Sequence, residues 1–366
     1  MRVTFVLPTL GHPRHRKRMQ ALRRLGVEVS VLAFEREGQL GVIGEGTTSL
    51  GVIANEEFVR RGGVYLRALR IIRRAARRSD AVYTFGVDLL ALVRASIAGL
   101  RRRPALATEV GDITAILVEK GRRGRIARRL ERMVLADDAL LVATSPAYIS
   151  NFYVGVQGLP ERSTLVIENK VDPTLTPAPA PRPADDGPLR IGWFGMLRCE
   201  YSWACLKRLA EEMGQDVEIV LRGVPYAGCA GLAEEAEGLP NVTFGGRYRV
   251  PDDLPSMYGG VDLCWMVHHD PDRPYENWGW ARSNRLYQAG WFGTPIVGQA
   301  GKDDATVVTD HDLGIVVDVT DVPGTIAALR GVSPTDLGRW RRNLSDMPRS
   351  AWALTDEHAE LLKRLG

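Results

Sequence analysis

Asp112 and His12 stand where a proton could be taken from a hydroxyl, with Glu109 beside them. Glu109 and Asp112, in Glu109-Val110-Gly111-Asp112, directly follow the strand candidate Ala105 to Thr108, and His12 lies in the turn after Val3 to Leu7. A carboxylate or imidazole within hydrogen-bond reach of a hydroxyl can act as its base or anchor. Asp112 is equally suited to cap the helix that follows it. Gly11, beside His12, allows close approach of the backbone to a bound group. In the second half, Gly195, Arg198, Arg222 and Arg285 occupy strand ends or the start of a helix. Phosphate groups need cationic forks and helix-start N–H groups, and this set offers both. His268-His269-Asp270-Pro271-Asp272 puts two histidines beside two carboxylates. A metal needs three or four converging ligands, and a proline-bracketed loop has no periodicity to fix them, so no metal is expected.

The elements that must position these residues alternate. Strand Val3 to Leu7, helix Arg14 to Leu25 and strand Val27 to Leu32 open the chain. Helix Val64 to Arg78, strand Ala81 to Thr84, helix Leu89 to Leu100, strand Ala105 to Thr108, helix Arg122 to Ala136, strand Ala139 to Ala143 and strand Thr164 to Ile167 continue it. Five prolines then fall within the thirteen residues Asp172 to Ala184, the composition of a semi-rigid linker. Beyond it strands Leu189 to Phe194, Val217 to Leu221, Val242 to Phe244, Val261 to Val267, Pro295 to Gly298 and Leu313 to Val317 alternate with helices such as Arg282 to Phe292. Strand–helix alternation of this kind predicts α/β domains with doubly wound parallel sheets. Four segments follow: a first domain over 1–171, a linker over 172–187, a second domain over 188–345 and a C-terminal helix over 346–366 that packs back on the first domain. Ligands of such sheets bind beyond the carboxyl ends of the strands.

The 366 residues, 45% hydrophobic and 25% charged, exclude disorder and exceed one ordinary core. No apolar run reaches the roughly 20 residues of a membrane span, and the apolar start is too short for a signal peptide, so a cytosolic chain is expected. Cys199, Cys205, Cys229 and Cys264 form no C-x-x-C pair and read as buried thiols. Through Lys170 there are 29 Lys and Arg against 16 Asp and Glu; after it, 19 against 28. Such asymmetry selects partners rather than fold. Arg70, Arg73, Arg74, Arg77 and Arg78 share one helix face opposite Leu69, Ile71, Ile72, Ala75 and Ala76. This face is expected either to be solvated or to meet an anionic membrane surface. Nucleic acid is not expected, because no aromatic residues are interleaved for base stacking.

Several segments resemble the GT-B glycosyltransferases, and among them the bacterial family 4 type. Leu7-Pro8-Thr9-Leu10-Gly11 with Arg18 to Leu32 is similar to that family's first loop, helix and strand, with Val27 where His is usual. Arg129 to Ala139 leading to Thr144-Ser145-Pro146, and Val166-Ile167-Glu168-Asn169-Lys170-Val171-Asp172, match further family segments. Ser283-Asn284-Arg285-Leu286-Tyr287-Gln288 through Pro295-Ile296-Val297 resembles the family's donor helix. There the Gln288 position is a glutamate that binds ribose hydroxyls. Glu276-Asn277-Trp278-Gly279-Trp280 resembles the segment whose glutamate touches the donor sugar, but eleven residues separate Glu276 from Gln288 where the family has seven. Met196 and Tyr201 stand where relatives carry phosphate-binding Arg and Lys.

The resemblance implies two Rossmann-like domains facing a cleft, with a sugar moved from a nucleoside diphosphate to a hydroxyl of a lipid-linked or polysaccharide acceptor. It implies retention of configuration and no metal; the nucleotide sugar is a co-substrate, and no other cofactor is expected. Asp112, His12 and Glu276 are then the catalytic candidates, Gly11 and Glu109 lie on the acceptor side, and Gly195, Arg198, Arg222, His268, Asn284, Arg285 and Gln288 bind the donor. A membrane-bound acceptor would place the protein on the inner face of the cell membrane. A sugar-nucleotide epimerase of the same fold and a two-lobed binding protein without chemistry are the competing readings. No Ser-His-Asp order, Walker A loop or G-x-G-x-x-G is present, which removes the main support for hydrolase, kinase and nicotinamide-enzyme readings.

Overall fold

The computed structural model describes residues 1–9, 12–36, 46–53, 58–136, 138–177 and 187–366. Two compact units divide the chain: Met1–Glu168 with Thr355–Gly366, and Asn169–Leu354. The first unit therefore ends three residues before the expected 171, because Val171 pairs with Ala353 inside the second. The expected C-terminal segment 346–366 splits after Leu354 for the same reason. Its last helix, Glu357–Leu365, belongs to the first unit, where Arg364 donates to the carbonyl of Thr164 at 2.8 Å. Of the expected linker, residues 178–186 lie outside the described residues; Pro177 accepts a 2.9 Å hydrogen bond from Trp291 of the second unit.

In the first unit, strands β1 (Arg2–Leu7), β2 (Glu28–Arg36), β3 (Thr47–Ile53), β4 (Ala81–Phe85), β5 (Ala105–Val110), β6 (Ala139–Ala143) and β7 (Thr164–Val166) form a parallel sheet. Their order is β3-β2-β1-β4-β5-β6-β7, which reverses direction between β1 and β4. Every residue of β4 and β6 is buried, as expected for central parallel strands covered on both faces. β3 is an addition to the sequence reading. Its composition, Thr-Thr-Ser-Leu-Gly-Val-Ile, is not apolar, and Gly51 takes φ 119° where the pairing with β2 slips between Ala33 and Phe34. The helix expected from Val64 runs over Phe58–Ala76, and the turn after β6 is a π-helix, Tyr148–Val154.

In the second unit, strands β8 (Leu189–Leu197), β9 (Val217–Pro225), β10 (Val242–Phe244), β11 (Leu263–Trp265), β12 (Ile296–Gln299) and β13 (Gly314–Val317) are ordered β10-β9-β8-β11-β12-β13. The reversal here lies between β8 and β11, whose Trp193 and Trp265 are buried in one core cluster. All four cysteines are free and buried, and burial pushes the thiols of Cys205 and Cys264 up to about 12. Both sheets are thus doubly wound, and each has a switch point at which the loops after two neighbouring strands diverge and leave room for a ligand.

Candidate functional site

In the second unit the switch point is electropositive. His268, three residues beyond β11, is held neutral at pH 7: burial first, then the charges of Lys302, Arg285, Arg198 and Arg273, push its pKa down to about 3. Its Nε2 has no hydrogen-bond partner and lies 3.9 Å from Asp270, which is itself 3.2 Å from Arg273. Arg198 makes no hydrogen bond or ion pair among the described residues, so its guanidinium is available to a ligand. Gly195 lies within β8 at φ 107°, and it is so close to Gly223 of β9 that a Cβ on Gly223 would meet the Gly195 carbonyl oxygen at 1.8 Å. Arg222, one residue earlier, donates to the Arg247 carbonyl at 3.2 Å and stands 3.7 Å from Asp253.

The helix Asn284–Phe292 starts beside this group. Ser283 caps it by accepting from the Arg285 N–H at 3.2 Å, and Gly293 closes it in the left-handed region at φ 68°. Arg285 is aimed back at the sheet, its guanidinium donating to the carbonyl of Trp265 at 3.2 Å, while Asn284 is exposed. Gln288 accepts from the Tyr258 hydroxyl at 2.8 Å through its amide oxygen, which leaves the amide N–H groups to donate. Glu276 lies on the short helix Tyr275–Trp278, half-buried and without a hydrogen bond or ion pair among the described residues.

Lys302 was not singled out by sequence reasoning. It follows β12 by three residues, is 6% exposed, and its Nζ is 3.5 Å from the buried Asp304. Asp304 also accepts from the N–H of Ser283 at 3.3 Å, and Arg282 pairs with Asp303 at 2.7 Å, so this loop is fastened to the start of the helix. Its place just after a strand was the available signal.

In the first unit, the β1 turn, β4 and β5 meet. His12 caps the helix Pro13–Arg24, accepting from the Arg14 N–H at 3.3 Å through Nδ1. That bond puts the ring proton on Nε2, so His12 presents a donor; partial burial and the Arg14 charge lower its pKa. Its ring is 4.7 Å from that of His15, which packs on Phe85 of β4 at 3.8 Å; burial first, then His12 and Arg14, push His15 down to about 4. Glu109 is 2% exposed. It accepts from Arg18 at 3.0 Å and from the Tyr83 hydroxyl at 2.7 Å, and lies 3.5 Å from Arg14. Burial alone would raise its pKa, but Arg18 and Arg14 hold it below the usual carboxylate range. Glu109 thus positions the arginines from beneath. Asp112 is exposed, and the N-cap position of the following short helix is Thr114, whose side chain makes no capping hydrogen bond. Gly11 lies outside the described residues.

Residues 13–170 match the model of the glycosyl transferase 4-like domain. The succinoglycan biosynthesis protein ExoL of Rhizobium meliloti (strain 1021) is 28% identical over 376 residues, covering 100% of this chain and 93% of that protein. Anabaena Alr3699/HepE, solved in complex with UDP and glucose, has the same fold with a TM-score of 0.68 at 16% identity, over 100% of this chain and 99% of that one. WaaG, a glycosyltransferase involved in lipopolysaccharide biosynthesis, gives 0.66 at 15% identity over 99% of each chain. The likeness is thus to glycosyltransferases of the GT-B, family 4 type, and this chain has their two-domain fold. Of the expected donor residues, Gly195, Arg198, His268, Arg285 and Gln288 fall around the β8–β11 switch point or on the helix beside it, whereas Arg222 lies on β9, on the other side of β8.

The expected basic face behaves differently. Arg73 donates to the carbonyls of Ser96 and Ala98 at 2.8 and 2.7 Å, at the end of the helix Val87–Ile97, and so is not part of a free face. The helix Arg122–Leu135 instead exposes Ile126, Leu130 and Met133, at 60, 57 and 67%, among the exposed Arg122, Arg123, Arg125 and Arg129.

Proposed function

We propose that this protein moves a sugar from a nucleoside diphosphate, bound in the second unit, to a hydroxyl of a lipid-linked or polysaccharide acceptor bound on the first. The observation that carries this reading is the set of four cations around the neutral His268 at the sheet's switch point. Cations held together at a strand-end crevice are stabilised when an anion with two phosphates enters. A relative named for succinoglycan biosynthesis and a structural neighbour solved with UDP and glucose support the substrate classes. We read the transfer as retaining and metal-independent. The C1–O bond to the diphosphate breaks with its electron pair leaving on phosphate, and the acceptor oxygen bonds to C1 from the same face. The hydroxyl proton passes to the departing phosphate oxygen. Arg198, Arg285 and Lys302 meet the growing negative charge, and Asp112 and the N–H of His12 orient the acceptor.

Arg285→Ala should weaken UDP binding about tenfold to a hundredfold, since it removes a charge-assisted contact of roughly 1.5 to 3 kcal/mol. Calorimetric titration with UDP measures this directly. Gln288→Glu should keep UDP affinity, because a carboxylate still accepts from Tyr258, whereas Gln288→Leu should lose it and strand that hydroxyl. Unchanged UDP affinity in both Arg285→Ala and Gln288→Leu would remove the helix Asn284–Phe292 from the donor site.

No helix among the described residues is long and apolar enough to cross a membrane. We place the protein on the cytoplasmic membrane surface through the helix Arg122–Leu135. An apolar stripe at i, i+4 and i+7 enters the lipid interface while flanking arginines meet anionic headgroups, each contributing about 1 kcal/mol. Sedimentation with anionic vesicles should be strong at low salt and fall as salt rises, and Leu130→Glu should reduce it without lowering the melting temperature. Equal binding to neutral and anionic vesicles would count against this surface.

A further inference from the structure

Two departures from the family pattern meet in space. Tyr201, at the position where relatives carry a phosphate-binding lysine, packs edge to face on His269 at 4.9 Å between centroids. His269 packs in turn on Trp278 at 5.1 Å, and Trp278 on Tyr275 at 5.4 Å. Trp278 lies in the segment whose spacing to Gln288 is longer than usual. Tyr201 and Tyr275 are 40 and 45% exposed, and Trp278 is half-buried. The cluster begins one residue after His268, where the cations gather, and it includes Tyr275, just before the free Glu276, and Trp278, two residues after it on the same short helix. The main chain holds the platform in place: His269 N–H donates to the Cys199 sulfur at 3.3 Å, and the Asp303 N–H donates to the Gly279 carbonyl at 2.8 Å.

We propose that Tyr201, His269 and Trp278 form an aromatic wall against which the C–H face of the donor's pyranose stacks, beside Glu276, the carboxylate that the family resemblance already sets on the donor sugar. A pyranose has one face rich in C–H groups and a rim of hydroxyls. An aromatic surface beside an unpaired carboxylate matches both, burying the first and hydrogen-bonding the second. The neighbouring cations fix the diphosphate, so the group reaching the wall is the one attached to it. The charge lost at Tyr201 is supplied by Arg198 and Lys302, which frees that position for an aromatic ring.

This inference rests on the donor site proposed above, and one experiment separates the two. UDP with UDP-glucose, and GDP with GDP-mannose, are titrated calorimetrically into the full chain and its Trp278→Ala, Trp278→Phe and Tyr201→Ala variants. For the pair that wild type binds, Trp278→Ala should weaken the sugar nucleotide roughly fivefold to tenfold and leave the bare diphosphate within twofold. Tyr201→Ala should act in the same direction, and Trp278→Phe should restore most of the loss. Equal losses for diphosphate and sugar nucleotide, or no loss in either alanine variant, would overturn the wall while leaving the donor site standing. Wild type that binds neither pair would overturn both. Comparison of melting temperatures identifies any variant that has lost its fold, for which Trp278→Phe gives the reading.

Discussion

Glu109→Ala should destabilise the first unit by about 3 to 5 kcal/mol, the usual consequence of leaving one partner of a buried ion pair without the other. Arg18 is 1% exposed, and its Nε lies 3.0 Å from the carboxylate, so the variant would hold an uncompensated guanidinium in the core. The Tyr83 hydroxyl would lose its acceptor as well. Glu109→Gln should cost less, since an amide oxygen still accepts from one of the two. The pH dependence has a definite sign. Because the folded pKa lies below the ordinary 4.5, this contribution is present above that value and disappears as pH falls through the lowered one. Urea unfolding at pH 7 and near pH 3 measures both effects. An alanine variant within 1 kcal/mol of wild type at pH 7 would show that Arg18 finds another anion.

Glu131→Gln should have the opposite effect. On the helix Arg122–Leu135, burial raises Glu131 to about 7, offset only in part by the Gln157 amide that donates to it. Below the ordinary 4.5 the group is protonated in folded and unfolded chains alike and costs nothing. Between 4.5 and about 7 the unfolded chain releases its proton while the folded one keeps it, so stability falls as pH rises, by about 3 kcal/mol for a shift of this size. A glutamine stays neutral throughout and keeps a partner for Gln157. The variant should melt higher than wild type at pH 8 and close to it at pH 4.5. A difference that does not change between those two values would mean that Glu131 is not protonated in the folded protein at neutral pH.

Much of this architecture is written locally. The strands at the sheet centres are short apolar runs; under the rule that ligands bind after strands, His268 does follow one as expected, whereas β8 and β9 run further than expected and take in Gly195 and Arg222. Local pattern fails where the determinant is distant. Arg18 and Glu109 are 91 residues apart in sequence, so the carboxylate expected to follow the strand and face the acceptor lies inside β5 as a buried counter-ion. Tyr258 and Gln288 are 30 apart, and nothing in the helix sequence announces that partner. β3 escaped because its polar residues and Gly51 suit an edge strand rather than a central one. Arg73 fits a helical charge stripe by spacing alone, yet its guanidinium closes the end of a neighbouring helix. Lys302 followed a strand, as the rule required, but no pattern within its loop showed that Asp304 would hold it.

The last twelve residues, Thr355–Gly366, belong with the first unit although the whole of the second lies between them and Glu168 in the chain. In them His358, Leu361 and Leu365 are buried, and Arg364 holds the carbonyl of Thr164. During synthesis, therefore, the second unit has all of its residues before the first does. The ribosome has released every other residue of the first unit long before its closing helix appears, and domains ordinarily fold as units while the chain emerges. The amino-terminal half must wait, incompletely covered and carrying its surplus of arginines, until Thr355–Gly366 have been made. A chain stopped by a nonsense codon just after Leu354 would hold a finished second unit attached to an unfinished first one.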